Sequence, residues 1–258
     1  MNPRCTIVGK TLLTEQYMAG TEKSKKRKLC DSDPPTQQAT KTVSGPPEPA
    51  HMRRSPNDIP WLGTAVLVWL TGAAFSRHVG IWPGIGGAAL LLAGLLLILR
   101  PRPLTDALGR PPWAPALGLG AAAGILMTLA TYVLYPLGVR LFPALAGETS
   151  TLYAAFGPPT PARIFLLITV ILAEELIWRG FVQGVLIHRL GAWGGTFLSA
   201  FIYALAHAPA GSPLLPLVAL GCGLVWGALR QTTARLTASI TAHLLWDLAV
   251  LVIWPLTA

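Results

Sequence analysis

Leu172-Ala173-Glu174-Glu175-Leu176-Ile177-Trp178-Arg179-Gly180 lies inside the run Ile164 to Ile187, which otherwise reads as a membrane-spanning helix. An ionised carboxylate at the centre of a bilayer costs several kcal/mol, so two adjacent acids and an arginine imply a function or a satisfied internal pair. Helical geometry separates the roles. Residues four apart share a face, whereas consecutive residues point about 100° apart. Glu175 is therefore expected to partner Arg179, leaving Glu174 free to handle a proton. The competing reading is a buried ion pair that locks two helices together.

Outward from that stretch, the chain of 258 residues is 52% hydrophobic and 12% charged, with a mean hydropathy of +0.53. This is the composition of a polytopic membrane protein, not of a soluble core. All six lysines precede residue 52. Residues 1–51 are polar, carry the basic run Lys23 to Lys28 and hold too little apolar surface to offset ordering entropy. They are expected to be a disordered, non-native leader, either an expression leader or an over-extended start, with Met52 a reasonable native start and 52–258 the integral membrane domain. The formal charge of +9 does not indicate nucleic-acid binding: the body's arginines fall mostly at helix ends, where they set topology. Cys5, Cys30 and Cys222 form neither a metal spacing nor a disulfide framework.

A membrane span takes about 20 apolar residues, and about seven candidates are present, near 61–76, 84–99, 113–136, 164–187, 193–209, 213–229 and 236–254. No strand-like alternation competes with them, so the expected fold is all-α, a polytopic transmembrane helical bundle. Trp61, Trp82, Trp113, Trp193 and Trp254 fall at predicted ends, as interfacial aromatics do. With the amino end inside, Arg53, Arg54, Arg100, Arg102, Arg110, Arg189, Arg230 and Arg235 are cytoplasmic, against Arg77, Arg140 and Arg163 outside. The stretch 137–163 is the longest connection, with a short interfacial helix expected around Thr151–Phe156. Gly120/Gly124, Gly180/Gly184 and Gly223/Gly227 offer small residues for close helix approach.

Few other ionisable groups enter the spans. His207 closes Tyr203-Ala204-Leu205-Ala206-His207, and His243-Leu244-Leu245-Trp246-Asp247 puts imidazole and carboxyl on one helix face, where the acid can orient the ring. A buried cluster of acids and imidazoles has the parts to activate water and hold an oxyanion. It could equally serve a transporter or proton relay. The expected spans place His207 near the outer end of its helix and His243 nearer the inner end, so one shared site requires tilt, a broken helix or shifted boundaries.

Glu174-Glu175-x-x-x-Arg179, Tyr203-x-x-x-His207 and His243-x-x-x-Asp247, in this order on separate helices, resemble the CPBP family of intramembrane proteases. These are relatives of the CAAX prenyl endopeptidases and of bacteriocin-processing and immunity proteins. The resemblance covers a protease-like core at about 110–254. It implies Glu174 as general base assisted by His207, His243 and Asp247 as oxyanion-holding groups, and Glu175, Arg179 and Tyr203 as site-shaping residues. Tyr203 replaces the usual Phe and adds a hydroxyl that needs a partner. Asp247 stands where Asn is common, and an ionised Asp would repel an oxyanion. It must be protonated, bind a cation, or simply orient His243.

No cofactor is favoured, although a divalent metal such as zinc is an alternative, with Glu174, His207 and His243 as candidate ligands. The chain lacks the His-Glu-x-x-His spacing of zincins. The expected function is cleavage of a peptide bond in or near the membrane, in a membrane-anchored or lipidated protein or peptide. The lipid bilayer is its environment, and the expected location is the cell membrane, multi-pass, of bacterial inner-membrane type. The alternatives are the transporter or proton relay and an inactive, protease-like binding or immunity protein.

Overall fold

The computed structural model describes residues 58–100 and 113–256. The expected leader 1–51 and Arg53, Arg54, Arg102 and Arg110 of the charge argument lie outside them. The described residues are helical with no strand among them, which agrees with the all-α membrane bundle read from composition.

Helix α1 (Asp58–Val79) stops at Gly80, whose φ of +90° only a glycine adopts readily. A π-helical turn over Trp82–Gly86, which contains Pro83, leads into α2 (Gly87–Leu99). Arg100 after α2 pairs with Asp58 at the start of α1, so the two helices run antiparallel and close at one end. Helix α3 (Ala114–Leu141) continues through Pro136. The stretch expected to be a long connection is largely helical: α3 extends to Leu141, and α4 (Ala144–Phe156) takes up the short helix expected at Thr151–Phe156 and begins seven residues earlier.

Pro161 in the first turn and Thr160, whose hydroxyl accepts the Arg163 N–H at 3.4 Å, start α5 (Pro161–Glu174). The helix continues without a break through π-helical turns at Glu175–Val182 into α6 (Gln183–Leu190). Helix α7 (Ala192–His207) ends in a 3₁₀ turn at Ala208–Ala210. Helices α8 (Leu214–Thr233) and α9 (Leu236–Asp247) follow, and π-helical turns at Leu248–Ile253 extend α9.

Among the described residues, five helices are long and apolar enough to cross a membrane: Asp58–Val79, Trp82–Leu99, Ala114–Leu141, Leu214–Thr233 and Leu236–Ile253. The other two expected spans depart from that pattern for physical reasons. The run from Pro161 to Leu190 carries the motif's charges, and the 16 residues of α7 reach about 24 Å, short of the roughly 30 Å hydrocarbon layer.

Small residues set the closest contacts. A side chain at Gly120 would collide with the Ala238 carbonyl of α9, and one at Gly124 would meet the Ala242 carbonyl at 3.0 Å. Gly223 and Gly227 of α8 face Ala200 and Thr196 of α7 in the same way. Gly184 has open space around it, so its pairing with Gly180 is not a close-packing device. Leu126, Leu129, Val133 and Leu137 of α3 remain exposed, the surface a lipid-facing helix presents. Trp69, Trp178 and Trp226, by contrast, are fully buried at the centre, around the acidic motif.

Candidate active site

Glu174 is the last residue of α5 and Glu175 the first of the π-helical turns, so the helix changes its winding between the two acids. Such turns are rare and concentrate at functional sites, because the widened turn re-aims side chains that an α-helix would spread evenly. Glu174, Glu175 and Arg179 are all buried. The Glu175–Arg179 pairing expected from four-residue spacing is present, with Arg179 Nη1 3.4 Å from Glu175 Oε1. The guanidinium also sits over the ring faces of Tyr203, at 4.4 Å, and Trp226, at 5.0 Å.

Glu174 points elsewhere. Its Oε2 accepts a hydrogen bond of 2.6 Å from the Tyr203 hydroxyl, which supplies the partner that the extra oxygen at position 203 requires. One turn on, His207 Nδ1 lies 2.7 Å from the Tyr203 carbonyl oxygen. A carbonyl only accepts, so Nδ1 carries the hydrogen, and the neutral ring keeps its lone pair on Nε2.

His243 is held from three sides. Its Nδ1 bonds Glu175 Oε1 at 2.9 Å, its Nε2 faces Asp247 Oδ2 at 3.5 Å, and its ring stacks on Trp226 at 3.6 Å between centroids. The ring is thus fixed in plane and in tilt. Asp247 is placed to orient it, as the four-residue spacing anticipates.

Glu174, Tyr203, His207, His243 and Asp247 all line one cavity of about 660 Å³. The mismatch in depth expected between the two histidines resolves because α7 is short. Its last residue, His207, lies 5.4 Å from the ring of Trp69, midway along α1, and the chain then turns back through Gly211 with φ +99°. The remaining cavity wall is mostly apolar, with Met127, Leu134, Leu152, Phe156 and Leu167 drawn from α3, α4 and α5.

The alternative metal ligands Glu174, His207 and His243 share this cavity. Among the described residues, however, no group of three or more His, Cys, Asp or Glu is arranged to hold a metal ion.

Two aromatic residues beside the cluster are not anticipated by the sequence motifs: Trp69, which packs against His207 and Trp178, and Trp226 under His243; Trp178, which belongs to the first motif, lies 5.1 Å from the Tyr203 ring. A signal for them is present in the sequence. Five of the nine tryptophans fall at span ends, whereas Trp69, Trp178, Trp226 and Trp246 lie inside spans.

Taken together, the fold and the cluster define an all-helical membrane protein with a Glu/His site buried between its helices. Residues 156–249 match the family model for type II CAAX prenyl endopeptidases of the Rce1-like group, in agreement with the CPBP resemblance of the three motifs. That match runs from the end of α4 to the π-helical end of α9 and contains every site residue named from the sequence, but not Trp69. No curated protein and no solved structure matches the chain.

Proposed function

We propose that the protein is an intramembrane endopeptidase that hydrolyses a peptide bond in or beside the membrane through water activated by Glu174 and His207. The observation that carries this reading is the meeting of Glu174, His207, His243 and Asp247, from three helical runs, on the wall of one cavity. Glu174 takes a proton from water as the hydroxide oxygen bonds to the scissile carbonyl carbon. His207 Nε2, left unprotonated by the Nδ1 bond, accepts a hydrogen bond from the same water. As the C–N bond breaks, Glu174 returns its proton to the departing amine.

The developing oxyanion falls to His243. Its Nδ1 donates to Glu175, and Nε2, which faces Asp247 at 3.5 Å, is the nitrogen left to donate to the oxyanion. Asp247 orients the ring through that same nitrogen and must give up the contact as the oxyanion forms. The largely apolar wall suits a membrane-anchored or lipidated peptide chain, and the setting is a cell membrane of bacterial inner-membrane type.

The test is cleavage of a membrane-anchored peptide library by the detergent-purified protein, with and without a chelator, with products identified by mass spectrometry. Chelator-insensitive cleavage supports the Glu/His mechanism. Loss of cleavage with chelator assigns the chemistry to a metal, and no cleavage of any member removes the endopeptidase reading.

A further inference from the structure

Tyr203 sits between the two groups assigned to water activation, and it touches both. Its hydroxyl donates to Glu174 Oε2 at 2.6 Å, and its carbonyl accepts from His207 Nδ1 at 2.7 Å. Its ring is clamped in turn: Arg179 lies over its face at 4.4 Å, Trp178 meets it edge-on at 5.1 Å, and the His207 ring stands 4.5 Å away. The residue is buried, so neither its hydroxyl nor its ring is free to swing.

We infer that Tyr203 is the positioning residue for water activation, its hydroxyl holding one oxygen of Glu174 so that the other faces the water, and its backbone holding His207 in the tautomer that accepts. This rests on the endopeptidase reading. The hydrogen bond is of the short, charge-assisted kind that also restricts rotation of the carboxyl group. With Oε2 engaged, Oε1 is the atom that receives the water's proton. The resulting neutral acid keeps its carbonyl oxygen at Oε2, so the tyrosine remains a donor throughout and need not move. Oε1 then returns the proton to the leaving amine, and both proton and hydroxyl are back at their starting places.

Tyr203→Phe removes the hydroxyl and keeps the ring that Arg179, Trp178 and His207 pack against, so the variant retains the local packing. The expected result is a kcat lowered on the order of tenfold, with KM within about twofold of native, because the hydroxyl bonds the base and not the substrate. A second readout is independent of turnover: the rate at which a hydrophobic carbodiimide modifies Glu174, followed by peptide mapping. Freeing Oε2 is expected to raise that rate about threefold or more. Tyr132→Phe, which loses a hydroxyl bonded to the Trp254 carbonyl away from the cavity, leaves both readouts unchanged. A kcat within twofold of native, a change confined to KM, or an unaltered modification rate overturns the inference. If the native chain cleaves nothing while Tyr203→Phe still speeds modification of Glu174, the endopeptidase reading falls and the coupling of Tyr203 to Glu174 stands.

Discussion

Glu175 and His243 share a hydrogen bond of 2.9 Å, and the same Glu175 oxygen lies 3.4 Å from Arg179, so one buried acid joins the first motif to the third. The bond spans 68 residues of sequence and fixes α9 against the π-helical turns after α5. It also gives the second acid a structural task distinct from that of its neighbour.

Replacing Glu175 by Gln should therefore damage stability as well as turnover. It leaves Arg179 buried without its counter-charge, a change that costs about 3–5 kcal/mol. Unfolding in detergent, followed by heat or denaturant, measures the loss. A midpoint equal to that of the native protein would contradict the assignment.

Asp247→Asn should retain far more of the activity than Asp247→Ala. Asn keeps an acceptor oxygen toward His243 Nε2 and removes only charge, whereas Asp247→Ala removes the oxygen that orients the ring. We expect kcat for the Ala variant to fall on the order of a hundredfold and for the Asn variant to stay within about tenfold, as assays of purified variants would show. Equal losses would mean that charge, not orientation, is what Asp247 supplies.

Helix packing offers a test independent of the chemistry. Gly120→Leu forces a side chain against the Ala238 carbonyl and should destabilise the bundle by about 1–3 kcal/mol. Gly184→Ala adds a methyl group to open space within α6 and should be neutral, or stabilising by up to about 1 kcal/mol. Parallel unfolding curves of the two variants check this; the reverse order would contradict the packing of α3 on α9.

The all-helical fold is legible in the sequence because apolar runs of span length admit no other architecture, and the Glu175–Arg179 pair because four-residue spacing is a local property. The Glu175–His243 bond is not legible. Partners 68 residues apart meet only through tertiary packing, and assigning Glu175 to Arg179 leaves no reason to seek a second one. The depth of His207 is hidden for a related reason: apolarity continues past the point where α7 ends, and the turn at Gly211 lies against Arg77 of α1, a tertiary contact that no local pattern announces. Likewise, 137–163 reads as a connection because of its prolines and glycines, yet Pro143 lies immediately before α4 and Pro161 opens α5. The tryptophans around the site are easily passed over because their interfacial role is the familiar one, although four of the nine lie inside the spans, too deep for it.

Glu174 is assigned as the base. The most direct measurement is turnover of a cleavable membrane-anchored peptide by Glu174→Gln, with folding verified by an unfolding midpoint close to native. Gln keeps an oxygen able to accept from Tyr203 but cannot take a proton from water, so kcat should fall at least about a thousandfold. Undiminished turnover in the folded variant would contradict the account.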